Sequence, residues 1–323
     1  MTVIAGRVAG APITWGVCEV PGWGHQLTPD RVLGEMASIG LSATELGPEG
    51  FLPTDPPALR DLLDRHGLRL VGGFHPVVLH VEDGRDERLA ATTAYADLLS
   101  AAGADVLVLA AASTGPRDYE AAPELTEEEW KVLADSVDRI ADVAAERGLL
   151  ATVHPHWGTA VERPGHVERF LEISDAPLCL DTGHLLVGGS DPLEVARAAP
   201  ERIAHTHMKD VDAALAERVR SGELGYAEGV RAGMYRPLGQ GDVDAAGIVR
   251  TLLDAGYAGW FVLEQDTVLD GDPADGTGPV VAASTSRGFI GRVAAEREEL
   301  PADRAGKERA AQGATSAQRE EAV

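Results

Sequence analysis

The stretch LLATVHPH (149–156) is the first of four apolar runs that end in histidine or carboxylate side chains. The other three are APLCLDTGH (176–184), RIAHTHMKD (202–210) and GWFVLEQD (259–266). Each run is short enough to be a buried strand, and its polar residues stand at the carboxyl end. In a closed parallel barrel these ends meet on one face, where active sites are built. The runs therefore predict a barrel with a polar centre at one mouth.

The whole chain alternates strand-like runs with helical patterns. Strands are predicted at 11–17, 41–47, 68–76, 104–110, 149–156, 177–183, 202–208 and 259–264. Helices are predicted near 28–39, 56–66, 85–102, 126–147, 164–173, 191–199, 243–255 and 279–297. Eight strand-then-helix units predict an α/β fold, a single (β/α)8 TIM barrel over residues 1–297. An open doubly wound sheet is disfavoured by this regularity and by the lack of a GxGxxG-type loop.

Two segments interrupt the alternation. Residues 211–241 form a long loop after strand seven, and a loop of this length on the catalytic face is typical of a lid or binding loop. Residues 298–323 are charged, rich in alanine and poor in large apolar side chains. We expect these last residues to be a flexible, disordered tail.

The composition narrows the classes of molecule that this protein is expected to bind. The net charge of −24 and the pI near 4.7 argue against nucleic acid and anionic membranes, which need basic patches, and weaken the case for a phosphorylated substrate. Two cysteines do not make a disulfide framework. The amino-terminal residues do not have the pattern of a signal peptide, so we expect a cytoplasmic enzyme. Barrels of this kind often dimerise, so a homo-oligomer is compatible with the sequence by analogy.

The polar strand ends suit a divalent metal. Residues two apart in a strand share a face, so His154 and His156 point the same way, as do His205 and His207. Together with Asp181, His184 and Glu264 they offer imidazole nitrogens and carboxylate oxygens, which Mn, Co, Fe and Zn accept. Such groups would be costly at an apolar mouth without a partner, and a metal supplies one.

A second set comes from the N-terminal half, where Trp15, Glu45 and His75 stand at predicted strand ends. Trp15 is a candidate wall for a ring-shaped ligand, although core packing explains it equally well. Glu45 is a candidate partner for a polyol hydroxyl, with a salt bridge at the rim as the alternative. His75 is a candidate substrate ligand, acid or base.

Several motifs resemble the xylose-isomerase-like TIM-barrel superfamily of sugar isomerases and epimerases. They are ATELG (43–47), HPHWGT (154–159), LDTGH (180–184), HTHMKD (205–210), GQGD (239–242) and VLEQD (262–266). The resemblance covers roughly residues 10–295. LDTGH and HTHMKD are quite specific for the superfamily, and the HPHxGT element points to its inosose dehydratase branch.

The resemblance implies a ligand set. Asp181, His207 and Glu264 match ligands from strands six, seven and eight of the ketose epimerases. The strand-five glutamate of those enzymes is absent, and His154 or His156 stands in its place. The favoured metals are Mn and Co, with Fe, Zn and Mg as alternatives.

The implied reaction is dehydration of a keto-cyclitol such as 2-keto-myo-inositol through an enediolate. Glu264 or His156 takes the α-proton, and Lys209 or His184 stabilises the developing charge. His184 has a competing interpretation as a partner that orients Asp181. His205 joins Trp15, Glu45 and His75 as a substrate-binding candidate.

Four other functions come into question, and two of them are disfavoured. The same enediolate serves an isomerase or epimerase of a free ketose or keto-sugar. A related lyase would eliminate the β-substituent of a 3-keto-glycoside. A metal-binding barrel without catalysis is disfavoured by the acid and base candidates beside the ligands, and a related endonuclease is disfavoured by the acidic charge.

Overall fold

The computed structural model describes residues 6–115 and 122–299, which form a closed parallel barrel. Its strands are β1 (Val8–Gly10), β2 (Ala43–Glu45), β3 (Arg69–Val77), β4 (Val106–Ala111), β5 (Leu150–Val153), β6 (Leu178–Asp181), β7 (Ile203–Met208) and, last in the chain, β10 (Phe261–Leu263). The strands follow one another in chain order around the barrel, and β10 closes it between β7 and β1. The predicted (β/α)8 fold is confirmed.

The helices surround the barrel. They are α1 (Pro29–Ser38), α2 (Pro56–Arg65), α3 (Arg85–Ala101), α4 (Glu127–Ala145), α5 (Pro164–Ile173), α6 (Thr182–Gly188), α7 (Pro192–Ala198), α8 (Ala213–Arg220), α9 (Tyr226–Arg231), α10 (Ala245–Asp254) and α11 (Pro279–Glu299). All eight predicted helices are present within about two residues of their predicted ends. Within the described residues, no helix combines the length and the apolar character needed to cross a membrane.

The predicted first strand is wrong. Residues 11–17 hold a short 3-10 helix, Pro12–Trp15, and the strand lies just before it at Val8–Gly10. Pro12 carries no amide hydrogen for a strand ladder, and Gly16 ends the turn with a φ of 80°. Trp15 therefore stands beyond the strand instead of at its end, which changes what this side chain can contact.

The predicted long loop after β7 is an ordered insert. It contains α8, α9 and a two-stranded antiparallel ribbon of β8 (Asp210–Val211) and β9 (Tyr235–Arg236). The proposed tail lies outside the described residues from position 300 onward, and α11 continues to Glu299.

The register of the strands assembles the mouth. Inside the barrel, Ala9, Ala43, Val71 and Val262 form a small buried apolar layer. Asp181 of β6 is the register partner of His207 in β7, and His207 is the partner of Val262 in β10. Glu264 follows two residues after Val262. This register brings the three polar side chains near one another at the carboxyl ends of the strands.

A buried carboxylate fastens the insert to the barrel. Asp210 accepts hydrogen bonds from the backbone N–H groups of Gly239, Gln240, Gly241 and Val243, at 2.8 to 3.1 Å. We predict that Asp210→Ala lowers the free energy of unfolding by about 3 kcal/mol, because it leaves several buried backbone N–H groups without a hydrogen-bond acceptor. Urea denaturation measures this change.

The control is Asp244→Ala, which removes an N-cap on α10 and is expected to cost about 1 kcal/mol. Equal losses in the two variants would contradict the special role of Asp210.

Candidate active site

A cavity of about 710 Å³ opens at the carboxyl ends of the strands. Its polar end is lined by Glu45, His156, His207, Glu264 and Asp266. All five side chains are largely buried, with at most 9% of each residue exposed. Interactions between charges are therefore strong at this end, because little water screens them.

Glu45 orients two histidines of β7. Its Oε1 atom lies 2.8 Å from Nε2 of His205 and 3.0 Å from Nε2 of His207. A carboxylate accepts hydrogen bonds, so each imidazole places a proton on Nε2. Burial opposes the ionisation of Glu45, but the two histidines outweigh it and hold the pKa of Glu45 below its usual range.

The outward nitrogen of His207 faces two carboxylates. Nδ1 lies 2.8 Å from Oε2 of Glu264 and 3.6 Å from Oδ2 of Asp181, yet it forms no hydrogen bond of acceptable geometry. Despite the opposing effect of burial, the carboxylates of Glu264 and Glu45 raise the pKa of His207 well above its usual value. Without another cation, His207 is therefore positively charged.

Asp181 is fixed by its own helix. Its Oδ1 accepts from the backbone N–H groups of Gly183 and His184, which makes it the N-cap of α6. The predicted pairing of Asp181 with His184 thus exists, but through the backbone and not the imidazole. The Oδ2 atom lies 3.1 Å from Nε2 of His154 and 2.7 Å from Nζ of Lys209.

Lys209 sits behind the cavity among three carboxylates. Its ammonium group donates to Asp181 and Glu264 and lies 3.5 Å from Oδ1 of Asp266. Burial alone would lower the pKa of Lys209, but these carboxylates raise it well above its usual value. Lys209 is therefore a permanent cation of the site.

The charges of this centre do not balance. Four buried carboxylates, those of Glu45, Asp181, Glu264 and Asp266, face the positive groups of Lys209 and His207. Buried charges are stable when they are paired, so this excess of negative charge favours the binding of a cation.

The donor atoms also fit such a cation. One oxygen or nitrogen from each of Asp181, His207 and Glu264 lies within 4.8 Å of the others. Burial raises the pKa of Glu264, but His207 and Lys209 bring it down to about 2, so the carboxylate is ionised. Two carboxylate oxygens and the unpaired Nδ1 of His207 form a mixed oxygen and nitrogen set that divalent transition metals accept.

Three histidines pack beside this set. The rings of His156 and His184 lie 3.8 Å apart, and those of His154 and His207 lie 4.7 Å apart. Burial lowers the pKa of His156 to about 3 and that of His184 well below its usual value. Both imidazoles are consequently neutral, and neither nitrogen of His184 has a hydrogen-bond partner among the described residues.

Asp266 and Tyr226 had no role predicted from the sequence. The Tyr226 hydroxyl from the insert donates to Oδ2 of Asp266 at 2.7 Å. Burial raises the pKa of Asp266 to about 6. Asp266 stands two residues beyond Glu264, and this spacing could have identified it from the sequence. The packing of Tyr226 from α9 against Asp266 has no such local sequence signal.

The remaining predicted residues lie apart from the polar end. Trp15 is fully buried and donates its indole N–H to Glu35, so it does not line the cavity as expected of a substrate wall. His75 points toward α3, where its Nε2 lies 3.0 Å from the Thr92 hydroxyl, and it lines the outer part of the cavity. His205 lies beneath Glu45, outside the cavity lining.

Comparisons with known proteins agree with this architecture. Residues 33–281 match the xylose isomerase-like TIM barrel family. An inosose dehydratase of Geobacillus kaustophilus (strain HTA426) is 33% identical over 302 residues, which cover 90% of this chain and 96% of the relative.

Two solved structures share the fold. An L-ribulose 3-epimerase is 18% identical with a TM-score of 0.65, covering 91% of this chain and 97% of its own. The IolI protein with a bound zinc atom is 16% identical with a TM-score of 0.63, covering 91% and 100%.

The contact of Glu45 with His207 generates a prediction. Glu45→Gln is expected to weaken Co²⁺ binding by about tenfold or more, because a neutral amide oxygen is a weaker acceptor for the His207 Nε2 proton than a carboxylate and leaves the imidazole a poorer metal ligand. Titration with Co²⁺ against a competing chelator measures the affinity.

The matched control is Glu35→Gln, which alters another buried carboxylate, bonded to Trp15 and Arg31. Unchanged Co²⁺ affinity in Glu45→Gln, or equal weakening in both variants, would refute the orienting role.

Proposed function

Since the chain belongs to the xylose isomerase-like TIM barrel family, we propose that it is a metal-dependent dehydratase of a keto-cyclitol such as 2-keto-myo-inositol. The observation that carries the proposal is the set of Asp181, His207 and Glu264, whose charge and unpaired donor fit a divalent cation at the cavity. The similarity to an inosose dehydratase across most of both chains supports the substrate class.

Asp181, His207 and Glu264 are the proposed metal ligands. His154 is the better fourth candidate because its Nε2 approaches Asp181, whereas His156 is turned toward the carbonyl of Trp157. A bound Mn or Co ion would polarise the substrate carbonyl and stabilise the charge left when the α-proton departs. Fe, Zn and Mg are alternatives that the donor types allow.

His156 is the proposed base. Its Nδ1 lies 2.7 Å from the carbonyl oxygen of Trp157 and donates to it, so the acceptor lone pair of the neutral imidazole is on Nε2. Glu264 is less suited because both of its oxygens already face His207 or Lys209. Transfer of the α-proton to His156 leaves an enediolate.

Loss of the β-hydroxyl completes the reaction. The carbon–oxygen bond breaks, its electrons leave with the oxygen, and a proton converts the departing hydroxyl to water. Asp266 is the proposed acid because burial raises its pKa to about 6, so that a fraction of this carboxylate carries a proton near neutral pH. Lys209 stabilises the negative carboxylates throughout, while His184 packs against the ring of His156 and holds it in place.

An isomerase or epimerase remains the alternative outcome, since it uses the same proton transfer without loss of water. The reaction is followed with 2-keto-myo-inositol and a panel of free ketoses on Mn- or Co-loaded protein. Ultraviolet absorbance and NMR distinguish a dehydrated product from deuterium exchange into an unchanged ketose.

We predict that dehydration of 2-keto-myo-inositol is abolished by EDTA and reduced about 100-fold or more by Glu264→Gln, which removes a ligand charge. Glu87→Gln, an exposed change on α3, leaves the rate unchanged. Deuterium exchange into a ketose without dehydration of the inosose would instead establish the isomerase alternative.

A second prediction distinguishes the role of His156 as the base from that of His154 as a metal ligand. His156→Gln should lower kcat by about 10²- to 10⁴-fold with the Co²⁺ affinity retained, because only proton transfer is lost. His154→Gln should weaken Co²⁺ binding. If His156→Gln weakened Co²⁺ binding and His154→Gln left it unchanged, His156 would be the metal ligand and His154 the base.

A further inference from the structure

The cavity is larger than its polar end. Its volume of about 710 Å³ falls in the range of roughly 300–1,000 Å³ that holds drug-sized ligands. A single cyclitol ring seated between His156 and Glu264 would leave much of this space empty. The same cavity continues past Phe74 and His75 at the end of β3 to helix α3.

This outer part, here called the apolar arm, is lined by Leu46, Leu52, Pro53, Ala91, Ala94 and Leu98. The first three belong to the segment between β2 and α2, and the others lie on α3. The polar groups between β3 and α3 already form hydrogen bonds within the protein. The Tyr95 hydroxyl donates to the Phe74 carbonyl at 3.1 Å, and His75 contacts Thr92. The arm therefore presents carbon surface to a ligand.

Apart from His207, which already faces Glu45 and Glu264 at the polar end, the charged side chains of the lining are acidic. The acidic residues are Glu19, Glu45, Glu49, Glu264 and Asp266, and no lysine or arginine lines the cavity in the part of the chain that the structure describes. A phosphate, sulfate or carboxylate on the ligand would be repelled and would lack the cationic donors that recognise anions. The charge pattern selects neutral ligands.

We propose that the substrate is a keto-sugar or keto-cyclitol that carries an uncharged apolar substituent, with its ring at the polar end and its substituent in the apolar arm. This inference rests on the proposed function for the placement of the ring. The continuity of the arm with the catalytic end and its largely apolar lining, whose charged side chains are acidic, support it. The class includes the 3-keto-glycosides of the related β-elimination, so the arm favours that reaction as a second candidate.

The test compares binding of unreactive probes on metal-loaded protein by calorimetry. Phenyl β-D-glucopyranoside is expected to bind at least about tenfold more tightly than methyl β-D-glucopyranoside, the effect of removing roughly 55 Å² of apolar surface from water. The 4-carboxyphenyl glucoside should lose this gain, because its anion meets an acidic lining.

Two variants locate the effect. Ala94→Trp fills the arm and should erase the preference for the phenyl probe while leaving the methyl probe unaffected. Ala101→Trp, at an exposed position on the same helix outside the cavity lining, should preserve the preference.

Equal affinity for the phenyl and methyl probes would overturn the proposal, as would equal effects of the two tryptophan variants. Equal affinity for the two probes is also the result expected if a second copy of the chain or a terminal segment covers the arm. Because binding is measured without turnover, a preserved phenyl preference in a protein that dehydrates no inosose would refute the proposed reaction and leave the arm intact.

Discussion

The bridge from Glu45 to His207 organises the mouth of the barrel. One carboxylate oxygen accepts from both histidines of β7, and it turns the unpaired Nδ1 of His207 toward Asp181 and Glu264. A carboxylate behind a histidine is the arrangement that fixes metal ligands in many proteins. The sequence predicted that Glu45 contacts a polyol hydroxyl of the substrate. Because its carboxylate already accepts from two imidazoles, Glu45 is better suited to orient His207, a proposed metal ligand.

The excess of negative charge supports the proposed binding of a cation at this centre. Lys209 offsets part of the charge and lies between Asp181 and Glu264, two of the proposed ligands. Its ammonium and the imidazolium of His207 stabilise the carboxylates in the absence of metal. A divalent ion would replace the proton on His207 Nδ1, so metal binding is coupled to proton release.

The sequence predicted most of the barrel because the helix caps and apolar runs are local signals. The capping box of Thr126 and Glu129 is one such local signal, and His205 and His207 share a face as predicted. The first strand was misplaced because its three residues, Val8–Gly10, are too few and too small to stand out beside the apolar run that follows. The turn of His75 toward α3 and the approach of Tyr226 depend on packing between distant segments, which no local pattern encodes.

The central claim is that Asp181, His207 and Glu264 together hold one divalent cation. A crystal grown with Co²⁺ and measured at the cobalt absorption edge tests it most directly. We expect one strong anomalous peak within bonding distance of His207 Nδ1 and of oxygens from Asp181 and Glu264. A map without this peak, in which the Lys209 ammonium still bridges the two carboxylates at saturating Co²⁺, would contradict it.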